Sequence, residues 1–178
     1  MRLREAIAMA KVFKGRYTAD VGQLGDEVVV FLIGMRINKP LKIGLWWPVF
    51  TAMGKMLKYL SQRPEKGLLA FRTSLFPEIV LVQYWRSFAD LEKFARDQND
   101  PHLEPWRKFN RKIGKSGDVG IWHETYRVRT TDIESIYGNM PMGGLAAASA
   151  LIPIRRGKDS AAARIGVADD DTPALPTY

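Results

Sequence analysis

His102 and His123 are the only imidazoles in this 178-residue chain, which contains no cysteine. The missing thiols remove thiolate nucleophiles, thiolate metal ligands and disulfides together. Acid–base or metal chemistry near neutral pH therefore falls to these two rings. Asp100-Pro101 has the form of a helix start, with Asp100 as N-cap and Pro101 in the first position. His102 is then expected in a first turn, where the helix dipole disfavours the imidazolium. A neutral ring there serves as base or ligand; the plainer alternative is a histidine facing water. His123 lies in a strand-like run in which Ile121, His123 and Thr125 alternate with Trp122, Glu124 and Tyr126. One face would put His123 in a cavity and the other in a subunit seam, and the sequence leaves both open. Arg36 and Asn38 share one face at the end of an earlier strand and complete the catalytic candidates. Arg36 suits a carboxylate or an oxyanion, or a salt bridge at the sheet edge. No GxGxxG, Walker or His-Glu-x-x-His motif occurs, so nicotinamide, ATP and hydrolytic zinc are unsupported.

These residues need elements to hold them. Residues 27–33 form a β-branched apolar run that continues through Asn38 and reads as a long buried strand, ended by Lys39-Pro40. Gly34 inside it predicts a bulge or a close approach to the backbone. Residues 46–60 carry Trp46, Val49, Phe50, Met53, Met56, Leu57 and Leu60 on one helical stripe, with Pro48 in the first turn. Residues 68–76 and 78–85 read as a hairpin. Ser87 caps a helix bearing Leu91 and Phe94; a second short helix follows Asp100, with Trp106, Phe109 and Ile113 on its apolar side. Residues 119–129 are the last strand of this set. The order is βαββαβ with the second helix broken in two, the ferredoxin-like α+β pattern. Such a sheet leaves one face to be covered, and a second copy is the natural cover.

The aromatic residues Trp46, Trp47, Phe50, Phe71, Tyr84, Trp85, Trp106 and Trp122 exceed what a small core needs. They suggest a cavity for a flat or apolar ligand, or else core and dimer interface. Phe50, Tyr84, Trp85 and Trp106 are the candidate lining. We expect residues 1–20 to be a helical extension, 21–131 the α+β domain, 132–155 an arm or lid, and 156–178 a flexible tail.

Hydrophobic residues make up 46% of the chain, enough for a core. The net charge of +8 is spread over separate short clusters, which argues against nucleic acid as partner. No apolar run reaches the ~18 residues of a spanning helix, and the N-terminus lacks a signal-type apolar region. A cytoplasmic protein without membrane or nucleic-acid partners is expected.

The element order, together with Phe31-Leu-Ile-Gly-Met-Arg-Ile-Asn38, Leu81-Val-Gln-Tyr-Trp-Arg-Ser87 and the stretch from Lys115 to Tyr126, resembles a specific family. It is that of small monooxygenase-like proteins related to one from the fumagillin pathway. The likeness covers roughly residues 14–155. The family is similar to the wider dimeric α/β-barrel superfamily, which includes cofactor-independent antibiotic-biosynthesis monooxygenases, haem-degrading monooxygenases and haem lyases such as aldoxime dehydratases. The resemblance implies a homodimer with a cavity between sheet and helices in each subunit. It implies an oxygen-using enzyme acting on a small apolar or aromatic molecule, with haem or with no cofactor. If haem is bound, His102 or His123 is the iron ligand, Arg36 suits a propionate, and Asn38 matches an asparagine near the distal side in haem-degrading relatives. The alternatives are a haem-dependent lyase of the aldoxime-dehydratase kind and a non-catalytic haem or small-molecule binding dimer, because fold likeness does not select one chemistry.

Overall fold

The computed structural model describes residues 11–75, 78–113 and 115–167. Its elements are β1 (Val12–Ala19), β2 (Glu27–Ile37), α1 (Ile43–Ser61), β3 (Leu68–Ser74), β4 (Ile79–Trp85), α2 (Phe88–Arg96), α3 (Leu103–Lys112), β5 (Val119–Arg129), β6 (Tyr137–Pro141), α4 (Leu145–Ala148), β7 (Leu151–Pro153) and α5 (Ala161–Ile165). They divide into two compact units, one of residues 29–127 and one built from the two flanking segments.

The first unit carries the expected βαββαβ order. Its sheet runs β3-β4-β2-β5, and β4 is antiparallel to both neighbours. This is the ferredoxin-like α+β fold. Alternation sorts the strand residues. Val29, Phe31, Ile33, Met35 and Ile37 of β2 face the helices, and Phe31 pairs across the ladder with Gln83, Val29 with Trp85. Two apolar clusters fill that side. One joins Val29, Leu60, Leu68, Trp85, Leu91 and Phe94; the other centres on Met35, Ile113 and Val119, with Trp46, Val49 and Phe50 against it. The opposite face carries Val30, Leu32, Val80, Val82 and Trp122, all half-buried. Gly34 on that face lies under the Trp122 indole, which is the close approach its sequence position implies.

Helix α1 starts at Ile43, earlier than residue 46, so Pro48 falls inside the helix rather than in its first turn. Ser87 caps α2 as expected, its hydroxyl accepting from the Asp90 N–H at 3.1 Å. His102 stands at the N-cap of α3.

The second unit corrects the reading of the chain ends. Residues 12–19, expected in a helical extension, form β1, the centre of a three-stranded sheet β6-β1-β7. The expected arm at 132–155 supplies both its neighbours, with Tyr17 opposite Tyr137 on one side and Pro153 on the other. Lys, Arg and Gly inside β1 hid its alternation. Gly15, at φ 99°, makes an irregularity there, and its N–H donates to Asn139 Oδ1 at 2.9 Å. Residues 156–167, expected in a flexible tail, include α5 and are held by ion pairs: Arg16 with Asp159 at 2.7 Å and Arg164 with Glu134 at 2.6 Å. Polar composition there reflects paired charges, not a lack of partners. Residues 1–10 and 168–178, the rest of the two expected end segments, lie outside the described residues. Among the described residues no helix is long and apolar enough to cross a membrane.

Candidate functional site

A cavity of about 60 Å³ lies between the sheet and helices of the first unit. Its floor is Phe31 and Ile33 of β2 with Gln83 and Trp85 of β4; its walls are Met53, Met56, Leu57 and Leu60 of α1 and Leu91, Phe94 and Ala95 of α2; and His102 closes it. Helical spacing explains the walls: residues three and four apart on α1 and α2 fall on one face. Each unbranched methionine lets its wall adapt to an occupant.

His102 is the one titratable residue in this lining. Its Nδ1 lies 3.1 Å from the Ala95 carbonyl oxygen. A carbonyl only accepts, so Nδ1 carries the proton. The neutral ring then keeps its lone pair on Nε2, the form of a base or a metal ligand. Burial pushes the His102 pKa below its ordinary value. The Ala95 bond opposes that shift, and the charge of His123 adds to it.

Gln83 is 7% exposed, and its Oε1 accepts from Trp85 Nε1 at 2.9 Å. That bond fixes the amide's orientation and assigns its NH₂ as the donor end. The cavity thus combines apolar walls, one base and one amide donor, which suits proton removal beside an oxygen atom.

His123 is exposed on β5, with its ring 5.6 Å from that of Phe31, which lines the cavity. It stands on the helix side of the sheet, behind a lining residue rather than in the lining. Arg36 and Asn38 are not brought to the cavity. They project from the opposite face beside Gly120. Arg36 makes an exposed ion pair with Glu78 at 3.3 Å, and Asn38 donates to the Gly117 carbonyl at 2.9 Å. The strand pleat is the reason: Arg36 is an even-numbered position on a strand whose odd-numbered residues face inward, and Asn38 follows the same alternation one residue past its end.

Of the four aromatic candidates, Trp85 lines the cavity. Tyr84, its neighbour in β4, alternates to the other face. Trp106 is 40% exposed and stacks on Phe109, and Phe50 packs with Met35 in the second cluster. Sequence reading missed Gln83 as a site residue. Its signal is a lone amide inside the apolar run Ile79-Val-Leu-Val-Gln-Tyr-Trp85.

Haem meets one condition here and fails two. An imidazole with Nδ1 tied to a carbonyl and Nε2 free is a suitable iron ligand. The enclosed space is far below the roughly 300–1,000 Å³ of sites for molecules of cofactor size, and no arginine or lysine lines it to pair with propionates. As it stands the cavity does not admit a porphyrin. Among the described residues there is also no cluster of three or more His, Asp or Glu able to hold a metal ion.

Monooxygenase af470 of Aspergillus fumigatus (strain Af293) is 29% identical over 191 aligned positions, covering 96% of this chain. The chain spans 66% of that relative's length. A crystal structure of an aldoxime dehydratase in complex with butyraldoxime superposes with a TM-score of 0.60 at 15% identity, over 80% of this chain and 45% of the other, a likeness of fold. A hydroxynitrile lyase from Passiflora edulis gives a TM-score of 0.40 at 17% identity, over 58% of this chain and 94% of the other. The family model described as monooxygenase af470-like matches residues 28–145, a span that contains the unit of residues 29–127, and the chain belongs to that family.

Proposed function

We propose that this protein is a cofactor-independent monooxygenase acting on a small apolar carbon acid bound between the sheet and the helices. The observation that carries the reading is the His102 imidazole, which lines an apolar cavity, is tied through Nδ1 to Ala95 and has no hydrogen-bond partner at Nε2 among the described residues. A water takes about 10–15 Å³ of such space, so the cavity takes a few non-hydrogen atoms, the reacting end of a substrate. Nε2 removes a proton from a CH₂ group beside a carbonyl, and the Gln83 NH₂ holds the oxygen on which the negative charge gathers. The carbanion adds dioxygen, forming a C–O bond, and the resulting peroxide anion takes the proton back from His102. Loss of water from that hydroperoxide converts CH₂ to C=O. One oxygen atom enters the product, the other leaves as water, and the substrate supplies all four electrons.

The unit we propose is a homodimer closed over the half-buried apolar face of Val30, Leu32, Val80, Val82 and Trp122. Light scattering on the purified chain tests it, and a single-chain mass would refute it.

Acetylacetone is a suitable small probe. Oxygen uptake should match formation of the trione and water one for one, and His102→Ala should lower the rate about 10²- to 10⁴-fold while the far-UV spectrum is kept. Equal uptake by the variant would overturn the assignment. Anaerobic dehydration of a short aldoxime, dependent on added hemin and accompanied by a stoichiometric Soret band, would instead overturn this reading in favour of a haem lyase.

A further inference from the structure

A carboxylate with no exposed surface stands two residues before His102. Asp100 lies in the loop between α2 and α3, and its side chain is fully buried. Three bonds converge on it. Tyr59, near the end of α1, donates its hydroxyl to Oδ1 at 2.5 Å, and Lys66 Nζ donates to both oxygens at 2.8 Å. Lys66 also lies 3.7 Å from Asp97, at the other end of the loop. The loop is a tight turn in its own right, with Asn99 N–H donating to Asp97 Oδ1 at 2.9 Å and Asp100 N–H to the Asp97 carbonyl at 3.2 Å. One lysine therefore grips both ends of the segment that leads into Pro101 and His102. The Arg63 guanidinium lies 3.9 Å over the Tyr59 ring, so the Tyr59 donor is held as well. A buried ion pair is seldom retained for stability, since apolar replacements of similar volume often do as well. What this one supplies is a fixed loop.

We propose that Asp100 is the positioning residue of the His102 imidazole: gripped by Lys66 and Tyr59, it sets the loop from which His102 reaches the Ala95 carbonyl and turns Nε2 into the cavity. A neutral histidine side chain in water favours the proton on Nε2, the wrong tautomer for a base facing the cavity. The Ala95 bond reverses that preference, and it forms only while the loop holds the ring within 3.1 Å. The effect on the tautomer stands on geometry alone; its effect on turnover rests on the reading of His102 as base.

The test is a two-bond proton–nitrogen spectrum of the uniformly ¹⁵N-labelled full chain at pH 7.5. With two histidines, His123→Gln assigns the signals. The native protein should show His102 protonated on Nδ1. Asp100→Asn and Lys66→Met should move it toward the Nε2-protonated form and lower acetylacetone-dependent oxygen uptake about ten- to a hundredfold. Tyr59→Phe removes one donor and should give a smaller shift of the same sign; it carries the test if the Asp100 variant does not fold. An unchanged tautomer in these variants overturns the positioning role, whatever the oxygen uptake. A shifted tautomer with undiminished uptake upholds the positioning role and overturns the base reading instead.

Discussion

Gly34→Ala is expected to destabilise this protein although alanine is the better strand residue. Gly34 has ordinary strand backbone, so the substitution is free of conformational strain and regains about 0.5–1 kcal/mol of chain entropy. The obstacle is Trp122. A β-carbon at position 34 would stand 2.6 Å from the indole Cζ2 and nearer still to Cε2 and Nε1, where ordinary contact begins at 3.4 Å. The indole must withdraw by about 1 Å, and overpacking of this kind costs about 1–3 kcal/mol. The net expectation is a loss of about 1–2 kcal/mol, or roughly 2–8 °C in Tm for a chain of this size. Thermal and urea unfolding of Gly34→Ala, Trp122→Ala and the double variant measure it. In the Trp122→Ala background the same glycine change should turn neutral or stabilising. A neutral effect in the native background, or an additive cycle, would refute the account of Gly34 as the seat of the indole.

Gln83→Leu keeps the volume but strands the buried Trp85 N–H, and should cost about 1–3 kcal/mol in urea unfolding as well as turnover, while Gln83→Glu keeps the acceptor and spares most of the stability. Because burial lowers the His102 pKa, kcat/KM should fall on the acid side with its inflection below about pH 6.5. The stability dependence has the matching sign: the unfolded chain takes up its proton first, so stability is full above about pH 6.5 and declines as the pH drops toward the folded value, and His102→Gln should flatten that decline. Asp118 is held below the usual carboxylate range chiefly by its bond from Lys42, 2.9 Å away. Its contribution is present above about pH 3.9 and is lost as the pH falls through the lower folded value, so Lys42→Ala should bring acid unfolding to higher pH.

The elements of the first unit were legible because each carries a local signal. Residues 27–33 are an apolar run rich in β-branched side chains, Ser87 and Asp90 mark a helix start, and the stripe from Trp46 to Leu60 has a clear helical period. The cavity was half legible. His102 stood out as one of two imidazoles, but which strand face turns inward is a tertiary fact, and Arg36 and Asn38 fell on the outer one. Tyr84 and Trp85 read alike as strand aromatics and point to opposite sides. Gln83 was passed over because one amide between Val82 and Tyr84 carries no periodic signal; its role comes from the indole beside it. The three-stranded sheet was illegible for another reason. Tyr17 pairs with residues 137 and 153, and no window along the chain contains both partners.

That distant pairing has a consequence for biosynthesis. β1 leaves the ribosome before any residue of the 29–127 unit, yet it has no neighbour in its sheet until residues 137–141 have been made. At ~5–20 residues per second it waits roughly 6–24 s, while the unit of residues 29–127 already holds nearly all that its own sheet requires. Through that interval Phe13 and Tyr17 stand on an unpaired strand, the kind of edge that invites pairing with another chain. The charges inside β1 that obscured it in the sequence, Lys14 and Arg16, oppose such pairing between copies, because like charges on an exposed edge repel.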